Sequence, residues 1–237
     1  MNRPRVAIGF ILLLPLFAVF EARAQQKESA KDKLDYRELV KGLVSPNKLI
    51  EVYDEDSLRF PRNYDSVAQE RIEKNRRVLY KHCAEALPFL IEASTDARYA
   101  LTWKSDSYAE SMCVGEVCLE IVRSHLELYR AYMPSTWRKD RSFEYSFVPR
   151  IGGTGKQVTE EEKKIVQQWW QERKGKTLIE LQVEAFDWSI KKRSREEGGK
   201  EEVDRLIAIR DKLKKERKCL APRSIPPSVL GERRVSD

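Results

Sequence analysis

From residue 66 onward, apolar residues recur at three- and four-residue spacing, the pattern of amphipathic helices. Ser66-Val67-Ala68-Gln69 reads as a capping box, after which Ala68, Ile72, Leu79 and Cys83 share one helical face. Residues 84–93 (AEALPFLIEA) put Ala86, Leu87, Leu90 and Ile91 on a second face. The broadest stripe runs from Val114 to Met133, through Val117, Cys118, Ile121, Val122, His125, Leu126, Tyr129 and Tyr132, and Pro134 ends it. Thr159 with Glu162, and Thr177 with Glu180, form two more capping boxes. Gly175 stands between them, where a helix end wants a left-handed residue. These two helices are expected as an antiparallel hairpin. The second is apolar on two sides, Ile179, Val183, Phe186 and Ile190 on one and Leu178, Leu181, Ala185 and Trp188 on the other, so both sides need cover. After Gly198-Gly199, residues 200–218 form a charged helix with a thin seam: Val203, Leu206, Ile207 and Leu213.

Before residue 66 the pattern is weaker. Residues 35–43 (DYRELVKGL) predict a short helix ended by Gly42, and 44–64 read as an extended connection. Strand signals are confined to Tyr99–Trp103 and Phe143–Val148. Two such pieces do not build a sheet domain, so the expected class is mainly α.

The first residues have a different character. Arg3 and Arg5 precede an apolar run of 15 residues, Val6 to Phe20, and Ala22-Arg23-Ala24 follows before Gln25. That is the layout of a secretory signal peptide cleaved between Ala24 and Gln25. The run is short for a membrane span, which takes about 20 residues, and Pro15 interrupts it. The expected organisation is a signal peptide at 1–24, a polar leader, short helix and connection at 25–64, and a helical region at 65–133. A loop-rich linker at 134–158 follows, then a hairpin plus charged helix at 159–218 and a disordered tail at 219–237. A secreted or periplasmic product without a further membrane span is expected.

The stretch Ala84 to Tyr99 (AEALPFLIEASTDARY) resembles a HEAT-type helical repeat. Ala86-Leu87-Pro88-x-Leu90-Ile91 carries the likeness on one helix, and Asp96-x-Arg98 in the turn after it. The resemblance spans about residues 66–133 and departs from the repeat in an insertion before Val114. It implies an irregular helical stack that presents a surface to a protein partner, and no fixed functional residues.

Composition changes this picture little. The chain has 237 residues, 45 Lys+Arg, 38 Asp+Glu and a net charge of +7. Residues 189–237 hold 15 basic and 9 acidic residues, so the excess sits at the C-terminal end. A basic end is suited to an anionic polymer or an acidic partner. Export argues against nucleic acid.

Candidate chemistry is sparse. Gly152-Gly153-Thr154-Gly155-Lys156 lacks the glycine and hydroxyl of a phosphate loop, because Arg150 and Gln157 stand at those positions. Cys118 and His125 are about 10.5 Å apart along a helix, too far to share zinc. His125 lies in an apolar stripe and reads as a core histidine. Trp169, Trp170 and Trp188 read as core aromatics. No catalytic, cofactor or metal residue is assigned. Cys83 and Cys118, on two apolar faces, are candidates for a disulfide or a buried pair of thiols. The expected contact surface comprises Trp103, Tyr108, Tyr129 and Tyr132. The leading expectation is an exported scaffold that binds another exported protein, followed by polymer binding through the basic end and then by a hydrolase without recognisable motifs.

Overall fold

Seven α-helices and one two-stranded sheet make up the regular structure of the described residues, so the protein is mainly α. The computed structural model describes residues 34–49, 62–104, 109–132, 146–151, 158–195 and 200–220, with backbone alone at 103–104, 109–110 and 131–132. The chain divides into two units, 1–35 and 36–237, and only Leu34 and Asp35 of the first are described. The signal-peptide expectation lies outside the described residues.

The first half is built on three helices, α1 (Tyr36–Lys41), α2 (Ser66–Lys81) and α3 (Cys83–Glu92), the last two separated by His82 alone. The cap of α2 is Asp65 rather than Ser66: its carboxylate accepts the Ala68 amide at 2.9 Å. Ser66 is already helical, and a carboxylate suits the positive end of the helix dipole. A hairpin then interrupts the helices. Strand β1 (Tyr99–Lys104) pairs antiparallel with β2 (Ala109–Cys113), with Leu101 opposite Met112 and Trp103 opposite Glu110. Thr102 and Ser111, buried across the pair, share a hydroxyl bond of 2.8 Å. The second strand is therefore 109–113. Ser146–Val148, expected in a strand, lies outside the sheet.

Helix α4 (Val114–Leu126) is the centre of the core. Val114, Val117, Cys118, Leu119, Ile121, Val122 and Leu126 are all buried. Gly115 permits the approach: a Cβ there would run into the Ser94 backbone, and the Gly115 amide instead donates to the Asp96 carbonyl at 2.9 Å. The helix stops at Leu126, seven residues before Met133. The reason is Glu127, whose buried carboxylate turns inward. It accepts from Ser146 Oγ at 2.6 Å and the Val148 amide at 3.0 Å, and pairs with Arg130 at 2.7 Å. A 3₁₀ turn (Leu128–Tyr132) continues the chain.

Residues 146–151, expected in a linker, are part of the core: Phe147, Val148 and Ile151 are buried. Phe147 sits between Trp169 and Trp188, at ring separations of 5.7 and 6.2 Å. It thereby wedges apart α5 (Glu160–Gln171) and α6 (Leu178–Arg193). Both capping boxes form, and Gly175 is left-handed at φ 87°. Yet the close helix pair of the C-terminal half is α6 with α7 (Lys200–Glu216), not α5 with α6. The pair is antiparallel: Arg193 meets Glu202 at 3.6 Å near one end, and Asp187 meets Arg210 at 2.9 Å further along. No described helix is long and apolar enough to cross a membrane.

Candidate functional site

Tyr129 is fully buried and so is not part of a contact surface. Its ring packs on Phe186 and Trp188, and its hydroxyl accepts the Phe147 amide at 3.3 Å. The aromatic stripe of the sequence turns inward because α6 covers it. The Trp103 and Tyr132 side chains and Tyr108 lie outside the described residues.

Cys83 and Cys118 are buried free thiols, not a disulfide, and Cys113 and Cys219 are also free. Burial pushes the Cys83 thiol up to about 12 and raises the Cys118 thiol as well. The Cys113 sulfur caps α4, accepting the Glu116 amide at 3.4 Å. Among the described residues no group of three His, Cys, Asp or Glu lies together to hold a metal.

His125 is a core histidine. Its Nδ1 bonds the Ile121 carbonyl at 3.0 Å, and its ring meets Tyr80 edge-on at 4.6 Å. Burial lowers its pKa below the usual histidine value, so the imidazole is neutral at pH 7. Trp169 is also core, and Trp170 and Trp188 pack against the core from its edge.

A groove of about 510 Å³ lies between α6 and α7, lined by Thr177, Ile179, Glu180, Val183, Leu213, Lys214 and Arg217. Its origin lies in an imbalance of apolar faces. One side of α6 enters the core through Leu178, Leu181, Ala185 and Phe186. The other side, with Ile179 and Val183, falls to α7, whose seam has few apolar residues. Leu206 and Leu213 are buried there, and after Leu213 the helix continues Lys-Lys-Glu. No apolar side chain of α7 remains to cover the start of α6, so Ile179 and Val183 stay half-buried.

The rim is polar and mainly basic. Glu180 is occupied by its cap, accepting from the Thr177 amide at 2.7 Å and the Thr177 hydroxyl at 2.8 Å. Lys214 reaches Asp187 only at 3.7 Å and is about half exposed. Arg217, at φ 48°, ends α7 in the left-handed region, with its amide on the Leu213 carbonyl at 2.9 Å. Lys215, Arg217 and Lys218 make no side-chain ion pair among the described residues.

The chain beyond Arg217 is pinned. Gln182, fully buried, donates to the His125 carbonyl at 2.9 Å and the Leu220 carbonyl at 3.0 Å. Its Oε1 accepts the Leu220 amide at 3.1 Å. Within the expected tail, Cys219 is exposed and Leu220 is partly buried and held through its backbone. Sequence reading missed Gln182, although a glutamine on the core-facing stripe of α6 was the available signal. It also missed the groove, which depends on how little α7 covers.

Comparison with known families, curated proteins and solved structures gives no match to this chain.

Proposed function

We propose that the chain is an exported, non-catalytic binding protein whose recognition surface is the α6–α7 groove. The observation that carries this reading is the groove's composition: an apolar floor of Ile179, Val183 and Leu213 beside the basic side chains of Lys214 and Arg217. Apolar floors supply binding energy through area removed from water, and charged rims orient the partner. The complementary ligand is a segment of another exported protein that offers apolar side chains flanked by Asp or Glu. The likeness to a HEAT-type stack fits a scaffold of this kind. A hydrolase has less support, because His125 is committed to the Ile121 carbonyl and the Tyr80 ring.

The basic run Lys212–Lys218 supports a second reading, an anionic envelope polymer bound along the same end. The two separate by substitution. Val183→Asp places a charge on the groove floor, whereas Lys214→Glu with Arg217→Glu reverses the rim. A protein segment loses about tenfold or more in affinity to either change, since each removes more than about 1.4 kcal/mol. A polymer responds to the rim change and to added salt, and ignores Val183→Asp. Capture that both variants leave unchanged in crosslinked pull-down overturns both readings.

A further inference from the structure

The groove between α6 and α7 suits a ligand that joins apolar side chains to acids, and one stretch of this chain has that composition. Residues 50–61 read IEVYDEDSLRFP. Glu51, Asp54, Glu55 and Asp56 stand against Arg59 alone, and Val52, Tyr53, Leu58 and Phe60 flank the acidic run. The other stretches outside the described residues do not match. Residues 1–33, 133–145, 152–157 and 221–237 carry more basic than acidic side chains, and 105–108 and 196–199 are only four residues each. On the groove side, Lys214 meets Asp187 only at 3.7 Å, and Lys215, Arg217 and Lys218 make no side-chain ion pair among the described residues. The rim therefore holds uncompensated positive charge beside the apolar floor of Ile179, Val183 and Leu213.

The acidic segment leaves the fold at its surface, away from its own groove. Leu49, the residue before it, is 47% exposed. Just behind, Asn47 is tied to Asp65: its side chain donates to the Asp65 carbonyl at 2.9 Å and accepts the Asp65 amide at 2.7 Å. Asp54 is seven residues from Asn47 and reaches at most about 25 Å from it. Helix α2 starts at this tie and, at 16 residues, is itself about 24 Å long. The groove lies past the far end of α2: Tyr80, in its last turn, touches His125, and the His125 carbonyl bonds Gln182, next to Val183. Even fully stretched, the acidic run of one chain comes only to the end of α2, with nothing left to lie along α6. A second copy has no such tether.

We propose that residues 50–61 of one chain dock in the α6–α7 groove of a second copy, so that the protein pairs with itself. The inference rests on the reading of the groove as a binding surface and names its partner. The apolar side chains of the segment cover Ile179 and Val183, and its acids face Lys214, Lys215 and Arg217. Because the two copies exchange equivalent segments, both grooves are filled and the assembly closes as a dimer. A foreign segment then binds by displacing the chain's own, so self-pairing and capture of another protein compete.

The test is the mass of the purified full chain in solution, by size-exclusion chromatography with light scattering at about 0.05 M salt, where charge contacts are least screened. The expected species has twice the mass of the monomer. Lys214→Glu with Arg217→Glu, and separately Asp54→Lys with Glu55→Lys and Asp56→Lys, should each raise the dimer dissociation constant about 100-fold. Mixed in equal amounts, the two variants should pair again, because the reversed segment of one meets the reversed rim of the other and the native segment meets the native rim. That recovery also shows that both variants fold. A monomer, a dimer that both charge reversals leave intact, or variants that stay apart when mixed overturns the proposal. A monomer that still captures a different protein through a photo-crosslinking side chain at position 183 overturns self-pairing and keeps the groove reading. Absence of any protein adduct at position 183 removes both.

Discussion

Helices α4 and α6 both carry apolar residues on more than one side, but their surroundings differ. Around α4, the chain covers every apolar residue, from α2, α3, the hairpin and α6, and only the side with Glu116, Glu120, Arg123 and Ser124 stays partly open. Even its polar end is satisfied, because Ser146 and Val148 close on Glu127. Around α6, the core side is covered by apolar contact, whereas the outer side is closed largely by charge. Arg193, Arg210 and Lys214 reach across α6–α7 to Glu202 and Asp187, and the apolar seam ends at Leu213. The proposed binding surface rests on this difference. Apolar surface that a helix cannot bury within its own chain is surface left for another.

The largest expected contrast concerns two arginines. Arg76 is buried, paired with Glu73 at 3.1 Å and facing Glu120 at 3.5 Å. Arg76→Ala leaves the Glu73 carboxylate buried without its cation, and should cost about 3–5 kcal/mol. Arg210 pairs with the half-exposed Asp187 and Asp211. Arg210→Ala should cost below about 1 kcal/mol. Urea unfolding of the two variants measures both, and equal losses would erase the distinction between the halves.

The next contrast is between apolar positions. Leu119→Ala opens a cavity in a fully covered site, with an expected cost of about 2–5 kcal/mol. Val183→Ala, at the half-covered groove floor, should cost about 1 kcal/mol or less. Comparable values from thermal unfolding would mean that the groove floor is as well packed as the core.

The smallest effect is a pH dependence specific to the α2–α4 contact. The folded pKa of His125 lies below its unfolded value of about 6.5, because burial disfavours the imidazolium. The unfolded chain therefore binds the proton more readily. Stability is intact above about pH 6.5 and falls as pH drops through that value, by at most ~1.4 kcal/mol per pH unit. Carboxylates begin to contribute only below about pH 5. Unfolding measured between about pH 7 and 5.5 should show the slope, and His125→Gln should flatten it.

Signals in the sequence were legible where the physics is local. The Thr159 and Thr177 boxes need only residues three apart, and Gly175 needs only its own φ. The stripe of α4 needed only helical periodicity. What escaped was set by distant contacts. The end of α4 at Leu126 depends on Ser146 and Val148, about twenty residues on. The separation of α5 from α6 depends on Phe147. Strand β2 (AESMC) has little strand propensity of its own and is fixed by pairing with β1. The groove was least legible, because it arises from what α7 fails to cover. Tyr129 shows the converse, an apparent surface aromatic that Phe186 and Trp188 bury.

The central claim is that the outer side of α6 near Val183 receives a partner. The most direct measurement places a photo-crosslinking side chain at position 183 and, as control, at Val67, an exposed apolar residue on α2 that is 74% accessible. The full chain is expressed with its native N-terminus and irradiated in its host cells, and the adducts are sequenced. The groove account predicts one reproducible protein adduct from position 183, joined through an acidic, apolar segment, that Lys214→Glu with Arg217→Glu abolishes and that position 67 does not give. Adducts equal at both positions, or indifferent to the rim reversal, would contradict it.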